Sequence, residues 1–288
     1  MNKLEKYSEI IAEIAPEIRL ESLALNEDGL LNDVVLVNGE YVFRFAKRDF
    51  YFKNLLDEAK LLNYLRGFLT LEIPRPFYAT AEIMAYRLIR GEALRRDILL
   101  RFSDSDRQAV ADQLALFFKE LHGVPLTGEI PAADALVKYE GWLASYEKIR
   151  EKVFPLLMPH VRDSLREHYE NFLADEKNFR FEPKMVDTDA PPYHILFDRE
   201  SKRISGIIDF GCAGAGDPAA DFSVILYNYG EPFFRRFFRI YPESEIFLRR
   251  ARFYAGAIEA RWILTGIERK NAWWFAVHLG GAKDFGYN

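Results

Sequence analysis

Cysteine is nearly absent. Cys212 stands alone among 288 residues, so no disulfide can form within the chain and a disulfide-held scaffold is excluded. Long apolar runs are absent too: no stretch approaches the roughly 20 residues of a membrane helix, and Met1–Ala15 lacks the pattern of a secretory leader. The expected location is cytoplasmic, with no membrane partner. There is no excess of positive charge, since 39 Lys and Arg against 44 Asp and Glu leave a formal net charge of −5. A general nucleic-acid binder held by phosphate contacts is therefore not expected. Internal repeats and low-complexity segments are missing, and nothing marks an obligate protein partner. What remains is an ordinary globular composition, 49% hydrophobic and 15% aromatic. The length suits two lobes, each able to bury its own core.

Periodicity places an amphipathic helix over Lys3–Ile14, with Leu4, Tyr7, Ile11 and Ile14 on one stripe. Asp33–Val37 and Tyr41–Ala46 read as strands joined by Asn38-Gly39, a pair that tolerates positive φ and so predicts a tight hairpin. A helix follows over Lys53–Gly67, then a strand over Met84–Ile89. Beyond Arg90 the pattern is mainly helical, with an amphipathic stripe over Asp106–His122 and more helix over Ala135–Ala174. The expected lobes are residues 1–89 and 90–288, hinged near Arg87–Glu92.

Within the helical half lies one β island, His194–Asp198 and Ile204–Asp209, joined by the polar turn Arg199–Arg203. Antiparallel pairing about that turn makes opposed residue numbers sum to about 403, which sets His194 against Asp209 with Cβ atoms about 5 Å apart. Two metal-ligand side chains then meet at the open end. Asp189 precedes them in an Ala190-Pro191-Pro192 loop and can approach the same mouth. Isolated carboxylates of this kind also cap turns and pair with surface cations.

The run Met185-Val186-Asp187-Thr188-Asp189-Ala190-Pro191-Pro192-Tyr193-His194-Ile195-Leu196-Phe197-Asp198, followed by Ile207-Ile208-Asp209-Phe210-Gly211, resembles the catalytic and metal-binding loops of kinase-like phosphotransferases. The chain is similar to the aminoglycoside phosphotransferase family, nearest its 2''-phosphotransferase branch. The likeness extends to Tyr41–Ala46 as the family's third strand, Glu58–Leu62 as its αC-like helix and Ile73-Pro74-Arg75-Pro76. It continues through Gly91–Leu94, Leu121-His122 and Gly216–Phe222, in the family's order. It implies an α+β, bilobal protein-kinase-like fold: a small antiparallel-sheet N-terminal lobe for the nucleotide and a mainly helical C-terminal lobe carrying the catalytic loop, metal loop and acceptor site.

Residue by residue, the resemblance makes Asp189 the catalytic aspartate that orients the acceptor hydroxyl and takes its proton. Asp209 matches the aspartate that binds magnesium on the nucleotide phosphates. His194 stands where asparagine is usual, and its softer nitrogen predicts tolerance of manganese. Arg44 occupies the place of the phosphate-touching lysine, with Glu58 as its helix partner and Lys47 as the rival cation. The loop Asn26–Asp33 stands where a phosphate-covering loop belongs, with Gly29 its sole glycine, so Glu27 and Asp28 would have to point away from the phosphates. The base is expected against the backbone of Arg87, Leu88 and Ile89. Asp187 replaces the histidine of the family's H-x-D signature. Asp217 and Asp221 are read as tying the segment after the metal loop, Cys212 as a small buried thiol, and His122 as a packing or surface residue.

Glu231, Glu259 and Trp273 are candidates for the acceptor wall, although core packing and helix surface explain each as well. Residues 231–270 hold nine Arg and Lys against five Asp and Glu, which argues against a polycationic acceptor. The expected activity is transfer of the γ-phosphoryl of ATP or GTP to a small-molecule alcohol, with an aminoglycoside leading. The alternatives are a macrolide, amino alcohol or sugar acceptor, a nucleotide-binding pseudokinase, and a metal-dependent hydrolase.

Overall fold

The computed structural model describes residues 2–29, 31–47, 54–133 and 138–281. The helices are α1 (Lys3–Ile14), α2 (Leu55–Leu65), α3 (Arg96–Leu99), α4 (Asp104–Gly123), α5 (Tyr139–Lys152), α6 (Pro159–Leu173), α7 (Ala219–Tyr229), α8 (Glu231–Phe234), α9 (Leu248–Glu268) and α10 (Ala272–Gly281). The strands are β1 (Leu23–Asn26), β2 (Asn32–Val37), β3 (Tyr41–Ala46), β4 (Pro76–Ala79), β5 (Ile83–Arg87), β6 (Glu92–Ala93), β7 (Lys184–Val186), β8 (Ile195–Asp198), β9 (Arg203–Ile207) and β10 (Gly214–Gly216). Two compact units emerge, Met1–Arg95 with Pro192–Gly211, and Arg96–Pro191 with Cys212–Asn288.

In the first unit an antiparallel sheet runs in the order β1-β2-β3-β5-β4. The β2–β3 turn has Asn38 at φ 54° and Gly39 at φ 65°, the positive values that the Asn-Gly pair predicts. Successive side chains of β3 point to opposite faces. Phe43 and Phe45 join Val35, Val37 and Ala85 in a core closed by Ile11 of α1, which leaves Arg44 on the other face. α1 is held at its start by a capping box between Asn2 and Glu5. α2 starts from an Asn54 cap and buries Glu58 among leucines; the expected start at Lys53 lies outside the described residues.

The first unit also contains a three-stranded sheet, β6-β8-β9. Residues 192–211, with 90–95, lie within the stretch expected as the second lobe but belong to the first unit, where Ile207 N–H donates to Glu72 O and Leu94 N–H to Ile195 O, both at 2.9 Å. The β8–β9 register differs from expectation. Ile195 opposes Ile207 and Leu196 opposes Gly206, but Phe197 opposes Ile204, so Ser205 is a bulge. Gly91, at φ 148°, accommodates it, since a Cβ there would lie 2.4 Å from Ser205 Oγ.

The second unit is mainly helical. Trp142 of α5 stacks on Tyr254 of α9 at 5.2 Å and 3°, and Phe172 of α6 stacks on Phe253 at 4.1 Å. The helical stretch expected over Ala135–Ala174 is broken at Phe154–Leu156, a single 3₁₀ turn containing Pro155; residues 134–137 lie outside the described set. A short β7–β10 pair sets Val186 opposite Gly214, and this fixes where the following Asp187–Ala190 loop begins.

Candidate active site

In the first unit, β3, α2 and the segment after β9 converge on one charged cluster. Arg44 is 4% exposed. Its Nη1 donates to Glu58 Oε1 at 2.6 Å and its Nη2 to Asp209 Oδ1 at 3.0 Å. Asn32 Oδ1 accepts from the same Nη2 at 2.9 Å in the amide orientation that also satisfies its nitrogen. Phe210 N–H adds a bond to Glu58 at 3.2 Å. Burial pushes Glu58 above the ordinary carboxylate range against the pull of Arg44. Burial also works to raise Asp209, but the charges of Arg44 and His194 outweigh it and hold this carboxyl low.

His194 and Asp209 come together differently from the predicted pairing. Ile208 N–H donates to His194 O at 3.0 Å, so Ile208 is the residue opposite His194. Asp209 adopts φ 66°, leaves extended geometry there, and returns its Oδ2 to 3.6 Å from His194 Nε2. Adjacent octahedral positions on one ion lie about 3 Å apart at usual metal–ligand lengths, so these donors fit a shared divalent ion. Among the described residues no group of three or more His, Cys, Asp or Glu is placed to hold a metal. An ion here would take its remaining ligands from phosphates and water, as magnesium commonly does.

Lys47 continues the Phe43–Phe45 side of the strand, away from Arg44. Its Nζ donates to Glu27 O at 2.6 Å and Gly29 O at 2.5 Å. Of the two rival cations, Arg44 therefore holds the Glu58 pair and Lys47 ties the loop. A Cβ at Gly29 would lie 2.7 Å from Asn32 O, so the turn requires glycine. Arg87 lies opposite Tyr41, with its guanidinium 5.3 Å from that ring. Leu88 N–H donates to Glu40 O at 2.7 Å. Ile89 is buried.

Asp189 belongs to the second unit and is half-buried. The loop that carries it is held from beneath by Asp221, a fully buried carboxylate on α7. Asp221 accepts the backbone N–H groups of Asp187 at 3.1 Å and Thr188 at 2.6 Å. Thr188 sits at φ 64°, a conformation that such anchoring sustains. On its other side Asp221 meets His122 Nε2 at 2.9 Å, and His122 Nδ1 lies 3.2 Å from Tyr241 Oη. Asp187 itself is fully buried. Nearby, Asp217 caps Ala219 N–H at 3.0 Å and pairs with Arg250 Nε at 2.6 Å and Tyr254 Oη at 2.9 Å.

The three acceptor-wall candidates also lie in the second unit. Glu231 is clasped by Arg252 Nη2 and Arg235 Nη2, each at 2.7 Å, and its carboxyl is pulled down to about 2, chiefly by Arg252. Glu259 accepts from Tyr227 Oη and faces His278 Nδ1 at 2.8 Å. Trp273 is 64% exposed and 6.1 Å from Trp274. Arg236 pairs with Asp104, Arg239 with Asp112 and Arg250 with Asp217, all from outside residues 231–270, while Glu268 of that segment is met by Lys148 and Lys152, also from outside. The count over the segment therefore does not by itself set the charge that an acceptor meets.

Residues 22–254 match the model of the phosphotransferase enzyme family, APH. The chain belongs to this family. It is a phosphotransferase of kinase-like fold, similar to the GDP complex of wild-type aminoglycoside 2'-phosphotransferase-IIIa, with a TM-score of 0.89 at 27% identity and 98% of each chain covered. A GDP and kanamycin complex of an APH(2")-type enzyme gives a TM-score of 0.88 at 26% identity, covering 98% of this chain and 99% of that one. Viomycin phosphotransferase of Streptomyces vinaceus is 26% identical over 242 residues, covering 80% of this chain and 82% of its own length. The uncharacterized protein YcbJ of Bacillus subtilis (strain 168) is 25% identical over 243 residues, covering 79% and 77%.

Two parts of this phosphotransferase escape sequence reasoning. His122 reads as packing or surface; it is indeed packed, against Phe222 and Phe247, and it is also a buried link in the support of the Asp189 loop. Asp221 reads as tying the segment after the metal loop, but it ties the backbone before Asp189. The Leu121-His122 and Asp217–Phe222 motifs point to these positions; that they meet is a tertiary fact.

Proposed function

We propose that this phosphotransferase moves the γ-phosphoryl of ATP or GTP to a hydroxyl of a small molecule, with an aminoglycoside antibiotic as the leading acceptor, and that it works in the cytoplasm. The observation that carries the reading is the buried Arg44–Glu58 pair with Arg44 reaching on to Asp209. Likeness over nearly the whole chain to enzymes bound to GDP and to kanamycin supports the nucleotide and acceptor classes.

Residues 1–89 would take the nucleotide, with the loop around Gly29 over the phosphates and the backbone at Arg87–Ile89 beside the base. Arg44 orients Asp209, and Asp209 with His194 would hold magnesium, or manganese in its place. When bound, the ion supplies charge neutralisation on the transferring phosphoryl group. In the 90–288 lobe, Asp189 orients the acceptor hydroxyl and accepts its proton as the acceptor O–P bond forms and the bond to the β–γ bridging oxygen breaks. Asp221 and His122 keep that loop in place, so the buried Asp187 need not supply the missing motif histidine's support. Glu231, Glu259 and Trp273 are the proposed acceptor wall, with Trp273 as an aromatic face for sugar.

The test is mass-detected phosphorylation of aminoglycosides, macrolides and small alcohols with each nucleotide and each metal. A gain of one phosphoryl group on a kanamycin-type acceptor is the expected result. The similarity to viomycin phosphotransferase favours a second reading, an antibiotic of another class; a product on viomycin alone would select it. Nucleotide binding without any product would move the reading to a pseudokinase.

A further inference from the structure

The loop Asn26–Asp33 has a single glycine, Gly29, and carries three carboxylates. Two of these charges, Glu27 and Asp33, are answered by cations on the α1 side of the sheet. Asp33 is 1% exposed and opposes Phe45 in the β2–β3 ladder, so both side chains share the α1 face. Its Oδ2 receives Tyr7 Oη at 2.6 Å and lies 2.7 Å from Lys3 Nζ; its Oδ1 lies 3.1 Å from Lys47 Nζ. Burial works to raise the Asp33 carboxyl, but these three partners outweigh it and hold it low. Glu27 is drawn away by Lys3, whose Nζ lies 2.7 Å from its Oε1. Tyr7 is itself fixed by stacking on Phe45 at 4.0 Å and 16°.

Lys47 also sets the backbone. Lys47 Nζ gathers the carbonyls of Glu27 and Gly29, Lys47 N–H donates to Leu31 O at 2.8 Å, and Asn26 Oδ1 accepts Asp28 N–H at 2.8 Å. Thus α1, through Lys3 and Tyr7, and Lys47, just past β3, hold the loop by its outer side.

We propose that Lys3, Tyr7, Asp33 and Lys47 form a latch that positions the 26–33 loop for the nucleotide phosphates: it neutralises Glu27 and Asp33 on the far face and fixes the loop's backbone carbonyls through Lys47. These are positioning residues, and the inference rests on the nucleotide reading given above. A loosened latch weakens nucleotide capture while leaving the acceptor site and the Asp189 loop intact. The signature is a change in nucleotide KM rather than in kcat.

The experiment measures nucleotide KM, kcat and acceptor KM, with direct nucleotide titration and thermal melting, for Lys3→Met, Tyr7→Phe, Asp33→Asn and Lys47→Met. Lys6→Met, an exposed charge loss on the same helix, is the control. Lys47→Met and Asp33→Asn are expected to raise nucleotide KM at least tenfold, and Lys3→Met and Tyr7→Phe about threefold. In all four, kcat stays within threefold and acceptor KM within twofold of wild type, and Lys6→Met matches wild type. Lys3→Met and Tyr7→Phe carry the test if the buried substitutions fail to fold. Variants that melt earlier yet keep the wild-type nucleotide KM overturn the latch and leave nucleotide binding standing. Wild-type protein that takes up no nucleotide overturns the nucleotide reading and the latch with it.

Discussion

Replacing Arg44 with methionine keeps an apolar stem of similar length and deletes the guanidinium that faces both Glu58 and Asp209. The two carboxylates respond differently to that loss. The Asp209 side chain is 36% exposed and can recover hydration, whereas that of Glu58 is 4% exposed and cannot. Removing one partner of a buried ion pair costs about 3–5 kcal/mol, because the remaining charge stays uncompensated. With Asp209 partly rehydrated, a loss of about 4 kcal/mol is expected, mostly from Glu58. The deficit has a pH signature. Burial already raises Glu58 in the folded state, and without Arg44 it rises further, while in the unfolded chain it stays near about 4.3. Proton uptake by the folded protein therefore contributes stability that is fully present below about pH 4.3 and lost as pH rises through the folded value. Urea unfolding of wild type, Arg44→Met and Arg44→Met/Glu58→Gln at pH 5 and 8 reads both effects. The single variant should lose less at pH 5 than at pH 8, and the double variant should recover about 2 kcal/mol at pH 8 because no buried charge remains there. A loss under about 1 kcal/mol at both pH values, or no recovery in the double variant, would refute the reasoning that the pair is desolvated and coupled.

Asp221→Asn replaces a buried carboxylate that accepts two loop amides and meets His122. It should lower kcat about a hundredfold or more with nucleotide affinity unchanged, as steady-state kinetics beside nucleotide titration will show. Gly91→Ala forces a Cβ into Ser205 Oγ at a φ that side chains avoid; chemical denaturation should give a loss of about 2 kcal/mol or more. Glu231 should titrate near 2 by NMR, because Arg252 and then Arg235 hold it ionised. That pairing is present above about pH 4.3 and is lost as pH falls through about 2, and Arg252→Gln should move the midpoint upward. His194→Asn trades a nitrogen donor for oxygen and should lower activity with manganese relative to magnesium; an unchanged ratio would remove His194 from the metal site.

Much of this was legible because it is local. Three- and four-residue spacing gives α1 its observed bounds, and Asn38-Gly39 specifies the hairpin because few other pairs accept two positive φ values. Period-two alternation along Tyr41–Lys47 already contains the answer to which cation meets Glu58, since Arg44 and Lys47 differ by an odd number of positions. The β8–β9 register was less accessible. The turn closes with Asp198 opposite Arg203, tighter than the spacing suggests, and the Ser205 bulge, accommodated by Gly91 more than a hundred residues away, makes up only one residue of the offset, so His194 faces Ile208 rather than Asp209. Charge counting over residues 231–270 is incomplete for a related reason: Asp104, Asp112 and Asp217, which pair with three of its arginines, and Lys148 and Lys152, which pair with its Glu268, come from outside the window. The Asp221–His122–Tyr241 chain likewise joins α4, α7 and the segment before α9.

The central claim is that Asp189 handles the acceptor hydroxyl while the Arg44–Asp209 cluster serves the nucleotide. It is tested most directly by comparing wild type with Asp189→Asn in one assay, reading phosphorylated acceptor by mass and nucleotide affinity by titration on the same samples. The asparagine variant should lose transfer at least a thousandfold and bind nucleotide within threefold of wild type. A variant that still phosphorylates the acceptor at the wild-type rate would contradict the claim.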